Sequence, residues 1–177
     1  MIGEERRPSR WRKAAWAAGG AGLLVLLVSF GQSLVYPYAV GPEQPLPFSH
    51  QVHAGDREIS CFFCHDAADR SQDAGMPSVS KCLLCHHVII HDFPPIQELH
   101  GYDRRQEPIP WVRVYPVPYY VRFNHEVHLT AGVDCGQCHG DVKQMDRILI
   151  PQPITMGFCV DCHRRHNATV DCTVCHY

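Results

Sequence analysis

Hydrophobic residues are concentrated near the start of this 177-residue chain, and the remainder lacks long apolar runs. Residues 14–35 contain no charged side chain, and the stretch from Leu23 to Val28 is strongly apolar. About 20 such residues cross a bilayer as a helix. The pattern therefore predicts one transmembrane helix over 14–35, followed by a small, mainly α-helical head of short helices and loops with little sheet.

Charge predicts the orientation of this helix. Residues 1–13 carry five basic and two acidic side chains, whereas the rest of the chain has a net charge of −5. Basic flanks stay in the cytoplasm, so we expect a single-pass protein of the bacterial cytoplasmic membrane with its head in the periplasm. A cleaved secretory signal is the alternative, but the apolar run is long for that and no convincing small-x-small cleavage site follows it. An acidic head favours a basic partner surface and not nucleic acid.

Ten cysteines indicate what fills a head that has few apolar residues of its own. All ten fall in Cys-x-x-Cys pairs, and a histidine follows each pair directly. The cysteines are Cys61 and Cys64, Cys82 and Cys85, Cys135 and Cys138, Cys159 and Cys162, and Cys172 and Cys175. The histidines are His65, His86, His139, His163 and His176.

This motif attaches c-type haem. Residues at i and i+3 lie on one side of a helical turn, so two thiols can form thioethers with one porphyrin while the histidine binds its iron. Zinc sites or disulfides would not explain why histidine follows every pair. The sequence therefore predicts five covalent haems c.

The head contains an internal repeat. Phe48-Ser49-His50-Gln51-Val52-His53 precedes two motifs, and Phe123-Asn124-His125-Glu126-Val127-His128 precedes two more. Several prolines lie between the copies and predict an extended connector. The predicted organisation is a basic segment over 1–13, the anchor over 14–35, a linker over 36–47, a first haem module over 48–93 with two haems, a proline-rich connector over 94–120 and a second haem module over 121–177 with three.

Each copy begins with His-x-x-His, whose two imidazoles project from nearly one face of a helical turn. Five irons each need a sixth ligand, so we interpret His50, His53, His125 and His128 as distal ligands. The first of each pair is expected to serve the nearest motif downstream, and the second to cross to another haem. Exposed histidines or a zinc clip are the alternatives.

The fifth distal ligand is open at this stage. The candidates are Met156, Met145, Met76, His87, His91, His100 and His166. We choose Met156, three residues before Cys159, as the candidate. A methionine ligand would raise the haem potential relative to a second histidine.

Several segments of the second half resemble one family of haem subunits. They are Pro110 to Val114, Val121 to His128, Gly132 to Cys135, Gln144-Met145 and Met156 to Arg164. In this order they resemble the membrane-anchored pentahaem subunit of alternative complex III and of the related quinone reductase complex, which are class III multihaem cytochromes c. Some members have histidine after Arg-Val, where this chain has Tyr115.

The resemblance implies a respiratory role and partners. They are an iron–sulfur and molybdopterin-enzyme-like subunit, multi-pass quinone-binding membrane subunits, and a soluble cytochrome or oxidase as acceptor. Electrons would pass from quinol through the haems, and the chain alone would have no catalytic residues. A self-sufficient anchored quinol dehydrogenase is the alternative. A multihaem reductase is a weaker one, because the head is small for a substrate pocket and has more spare histidines than irons.

Overall fold

The computed structural model describes residues 10–39, 41–115 and 117–177. They contain helices joined by turns and loops, and none of them lies in a β-strand, which confirms the predicted mainly helical class. The chain divides into two units, one ending at Pro37 and a head from Tyr38 to Tyr177. The first part of the basic segment predicted over 1–13 lies outside the described residues.

Helix α1 (Arg10–Ala39) makes up most of the first unit. Within it, Arg10–Gln32 is long and apolar enough to cross a membrane, and its central side chains are exposed. The helix continues beyond the predicted anchor end at residue 35, through Pro37 to Ala39. A proline removes one backbone N–H, and near the last turn that loss does not stop the helix.

The predicted haem motifs lie on short helices of the head. These are α2 (Cys61–Cys64), α3 (Val79–His86), α6 (Gly136–His139), α7 (Met156–Arg165) and α8 (Cys172–Cys175). The His-x-x-His segments form a π-helical turn (Gln51–Asp56) and α5 (His125–Thr130), and a 3₁₀ turn spans Val142–Gln144.

The expectation of an extended connector over 94–120 was wrong for its first part. Pro94 and Pro95 begin α4 (Pro94–Arg105), which ends at Gln106 in a left-handed conformation. Prolines at the first positions of a helix lose no hydrogen bond, because those N–H groups have no intrahelical partner. These two prolines therefore start a helix instead of preventing one.

A small apolar core lies between α3 and α4. Its buried residues are Leu46, Leu83, Leu99 and Ile109, with Cys82 and Trp111 among the partly buried residues around them. Elsewhere, contact between the repeats is largely through the backbone. Gln51 N–H donates to the Met145 carbonyl at 3.0 Å and His125 N–H donates to the Gln72 carbonyl at 3.1 Å. Backbone hydrogen bonds thus join the two repeats in both directions.

Gly55 allows a close approach of the two repeats. It lies in the π-helical turn, next to the 3₁₀ turn of the second repeat. A Cβ atom at this position would lie 2.4 Å from the carbonyl oxygen of Lys143. Any other residue would therefore push these turns apart.

Candidate haem sites

Four of the five motif histidines each face one histidine from a His-x-x-His segment. The ring centroids of His50 and His65 are 6.5 Å apart, with planes 2° from parallel, and those of His125 and His139 are 6.4 Å apart at 6°. The second histidines lie at similar distances from their partners, but the planes of the two pairs are tilted by 63° and 42°. His53 lies 6.1 Å from His86 and His128 lies 5.9 Å from His163.

These distances fit two imidazoles on opposite sides of one metal. Metal–imidazole bonds are about 2.0–2.1 Å long, so the two nitrogens lie about 4 Å apart and the ring centroids about 6 Å apart. In each segment the first histidine faces the nearest motif downstream and the second faces the following motif. The structure places the predicted partners in this order.

A phenylalanine orients both histidines of each segment. Phe48 stacks on His53 at 4.4 Å and meets His50 edge-on at 4.8 Å. Phe123 stacks on His128 at 4.5 Å and meets His125 edge-on at 4.8 Å. In the sequence these phenylalanines only marked the repeat, and their packing on the histidines was not predicted. Their position two residues before each His-x-x-His was the signal that could have indicated it.

Backbone carbonyls hold one nitrogen of most of these rings. The Nδ1 atoms of the motif histidines His65, His86, His163 and His176 lie 2.5–3.2 Å from the carbonyls of Gly75, Ile89, Thr169 and Tyr120. Those of His53, His125 and His128 lie 2.7–2.8 Å from the carbonyls of Ser49, Gln72 and Asn124. An Nδ1–H donated to a carbonyl leaves Nε2 to bind metal and fixes the ring.

Burial favours the neutral, metal-binding form of two further rings. It lowers the pKa of His50 to about 4, with smaller contributions from the neighbouring His65 and His53. It also lowers the pKa of His139, with the neighbouring His125 and His65 contributing. Neutral imidazole has the lone pair that a metal requires.

Tyr115 contacts one of these sites. Its ring meets that of His139 edge-on at 4.6 Å, and its hydroxyl donates to the Leu149 carbonyl at 2.9 Å. Burial raises the pKa of Tyr115 to about 12, so the hydroxyl keeps its proton at neutral pH. At the position where some members of the resembling family have histidine, this chain has Tyr115, which packs against the candidate ligand His139.

The environment of the fifth motif differs. His176 is exposed, and the ring nearest to it is that of Tyr120, at 6.0 Å. A cleft of about 400 Å³ there is lined by Tyr119, Tyr120, Arg122, His176 and Tyr177. In the described part of the chain, no second histidine ring stacks with His176.

Met156 lies on α7, the helix that precedes the fifth motif in the chain. It is the first residue of α7 and is 66% exposed. Burial raises the pKa of the Cys159 thiol, and an electrostatic interaction with the Cys175 thiol of the last motif raises it further. Among the other candidates, His87 and His100 contact each other, His91 pairs with Asp92 at 3.1 Å, and Met76 is 60% exposed.

The residues present fit haem c in a further respect. Trp111 Nε1 is buried and has no hydrogen-bond partner in the described residues. Its ring lies 6.5 Å from Phe48, which stacks on His53, and it packs on the same core as Cys82. A haem propionate is an anionic acceptor of the kind that would satisfy this donor.

Comparisons with known proteins show similarity to multihaem cytochromes c. Residues 121–177 match the model of the family described as cytochrome c7 and related cytochrome c. This part of the head is therefore similar to cytochrome c7. The chain is also 28% identical, over 192 aligned residues, to the menaquinone reductase, multiheme cytochrome c subunit, of Nitratidesulfovibrio vulgaris. The alignment covers 90% of this chain and 91% of that relative. The expected resemblance thus extends to a quinone-linked complex, and not specifically to alternative complex III.

Proposed function

We propose that this chain is a membrane-anchored pentahaem cytochrome c that transfers electrons as a subunit of a quinone-linked membrane complex. The observation that carries the proposal is the set of four histidine pairs at 5.9–6.5 Å, each beside a Cys-x-x-Cys motif. Haem c supplies a one-electron couple whose potential depends on its axial ligands and surroundings. The ten motif cysteines would hold five such groups.

The electrostatic neighbours of the motif cysteines support an order for the five proposed sites. Burial raises the pKa of each of three thiols, and a thiol of another motif raises it further: Cys64 acts on Cys82, Cys61 on Cys135, and Cys162 on Cys138. Cys175 acts on Cys159 in the same way, so the proposed order is second motif, first, third, fourth and fifth. A row of this kind would conduct electrons between two partners.

The haem number is tested by chemistry. The denatured protein should keep its colour through extraction with acidified solvent, and a pyridine haemochrome assay should give five haems per chain. Cys172→Ala together with Cys175→Ala should give four. Colour lost to the solvent, or an unaltered count in that variant, would contradict the proposed attachment.

For the fifth iron, Met156 is the proposed sixth ligand and His176 the fifth. The electrostatic interaction of the Cys175 thiol with that of Cys159, three residues after Met156, supports this choice. Methionine ligation gives a near-infrared charge-transfer band that bis-histidine ligation lacks. Met156→Ala should remove this band and Met76→Ala should keep it; a band that survives Met156→Ala would exclude Met156.

The helix Arg10–Gln32 is proposed as a retained anchor in the cytoplasmic membrane, with the head in the periplasm. High salt should leave the protein on membranes, and mass spectrometry should recover peptides from residues before Val35. Protease added to spheroplasts should reach the head. A mature terminus near residues 36–40 would show that the helix is a cleaved signal.

Electrons are proposed to flow from quinol, through partner subunits, to this chain and on to a soluble cytochrome or an oxidase. The proposed partners are an iron–sulfur and molybdopterin-enzyme-like subunit and multi-pass membrane subunits. The name of the relative favours a second candidate, in which the chain delivers electrons towards menaquinone. Both assign the chain electron transfer without catalytic residues of its own.

One experiment separates these readings. Membranes are solubilised gently and the assembly is purified through this chain. Menaquinol should reduce the haems within the assembly and should fail to reduce those of the isolated chain. Haem oxidation by added menaquinone, without reduction by menaquinol, would establish the second candidate. Equal quinol oxidation by the isolated chain would make it a self-sufficient dehydrogenase and overturn the proposal.

A further inference from the structure

Two histidines outside the haem motifs meet at the interface of α3 and α4. His87 follows the last residue of α3 and keeps helical backbone angles, with φ −64° and ψ −30°. Leu83, four residues earlier, is buried against α4, so His87 lies on that same face. Its ring centroid is 5.4 Å from that of His100 on α4, and the rings are tilted by 49°.

The spacing of this pair differs from that of the four proposed axial pairs. Two imidazoles on opposite sides of one metal have centroids about 6 Å apart, whereas two at a tetrahedral angle have them about 5 Å apart. The observed 5.4 Å is nearer to the second arrangement. Because His87 is exposed, its ring is accessible to an ion from solution.

The surroundings leave space for further ligands. A cleft of about 350 Å³ is lined by Ser80, Leu83, Leu84, His87, Val88 and Asp103. In the described residues, no set of three histidine, cysteine or carboxylate side chains is close enough to hold a metal. Water or a small anion in the cleft would therefore complete the coordination. Asp103, three residues after His100, is available as a hydrogen-bond acceptor for that water.

We propose that His87 and His100 form a two-histidine site for a divalent transition metal of the zinc and copper class. Imidazole suits these ions, whereas magnesium and calcium prefer oxygen ligands. The site lies next in the chain to His86, the proposed iron ligand of the motif at one end of the row. The role given to His86 rests on the proposed function, but metal binding by His87 and His100 does not.

The test measures the binding of Zn²⁺ to the full-length, haem-loaded protein by isothermal titration calorimetry. One ion should bind per chain, and His100→Ala should weaken its affinity by about tenfold or more, since losing even an outer-shell partner costs that much. His91→Ala is the matched control, because His91 is also exposed, lies near His87 in the chain and pairs with Asp92. It should leave the affinity unchanged, and Mg²⁺ should not bind.

Cu²⁺ gives a second readout that is independent of affinity. Pulsed EPR should detect two imidazole nitrogens in the wild type and one in His87→Ala or His100→Ala. The haem absorbance spectrum of each variant checks that it has folded. Unchanged Zn²⁺ affinity in both folded variants, or equal loss in His91→Ala, would overturn the site. Either result would leave the haem number and the quinol assay untouched, so the two proposals fail separately.

Discussion

The two haem modules share one arrangement of phenylalanine and histidine rings but differ in the apolar core beside it. Phe48 stacks on His53 at 4.4 Å in the first, and Phe123 stacks on His128 at 4.5 Å in the second. The buried apolar side chains of the described residues are Leu46, Ala68, Leu83, Leu99 and Ile109, and all precede residue 121. The same ring arrangement therefore forms with a conventional core beside it and without one.

This difference indicates what holds each module together. The first has α3 packed on the connector helix α4 through Leu83 and Leu99, an arrangement that needs no cofactor to bury apolar surface. In the second, the described helices have no buried side chain. A chain segment that buries little of its own surface is marginal without an added group. We therefore expect the second module to depend more on its haems.

The largest expected effect comes from removing one haem from each module. Cys135→Ala with Cys138→Ala should greatly increase amide hydrogen exchange over α5, α6 and α7. Cys61→Ala with Cys64→Ala should leave α3 and α4 protected, because their core remains. Mass-spectrometric hydrogen exchange measures both. If α3 and α4 lose protection as fully as α5 to α7, the proposed difference between the modules is wrong.

The next effect concerns the apolar core. Leu99 is 3% exposed, and Leu99→Ala should lower the free energy of unfolding by about 2–5 kcal/mol, because it leaves a cavity. Denaturant titration followed by far-ultraviolet circular dichroism measures the change. Leu84→Ala is the control, since Leu84 is 68% exposed and should matter little. Equal losses in the two variants would mean that the α3–α4 core does not stabilise the head.

Sequence patterns predicted the local features of this molecule better than its tertiary ones. The Cys-x-x-Cys-His helices and the two His-x-x-His segments depend on spacing within one turn, so they could be predicted. The carbonyl of Gln72 beside His125 could not, because every residue has a carbonyl and only folding brings this one there. Helix α4 was missed because Pro94 and Pro95 were interpreted as helix breakers, although the first turn of a helix accommodates them.

A third prediction tests whether His53 and His128 act as equivalent ligands in the two modules. His53→Ala and His128→Ala should each convert one low-spin haem to a high-spin form that binds carbon monoxide, because each removes one proposed axial ligand. EPR and carbon monoxide difference spectra measure the yield, which should be the same for both. Val52→Ala, at a 43% exposed neighbouring position, should produce no such signal. A high-spin yield in one variant alone would show that only one of the two histidines is a ligand.

A smaller effect is expected at Tyr115, which has no counterpart in the first site. Its pKa is raised to about 12 by burial, so its stabilising contribution is complete below pH 10 and is lost as the pH rises through 12. Tyr115→Phe should cost about 1 kcal/mol at neutral pH, the usual value of one hydrogen bond. Tyrosinate absorbance should lose its latest-titrating component in this variant and keep it in Tyr119→Phe. If Tyr119→Phe removed this component instead, the latest-titrating tyrosine would be Tyr119 and not Tyr115.

The smallest expected effects distinguish the starts of the two His-x-x-His segments. Asn124 Oδ1 accepts from Val127 N–H at 3.4 Å, so Asn124→Ala should cost about 0.5–1 kcal/mol, the low end for a helix cap. Ser49 Oγ accepts from Val52 N–H at 3.1 Å and also donates to Asp146 at 2.6 Å, across to the second repeat. Ser49→Ala should therefore cost more, because it removes two bonds and one of them reaches a carboxylate. The backbone carbonyls of both residues remain beside His53 and His128, so neither variant should change the haem spectra. A spectral shift in either variant would show that the side chain, and not the carbonyl alone, positions the ligand.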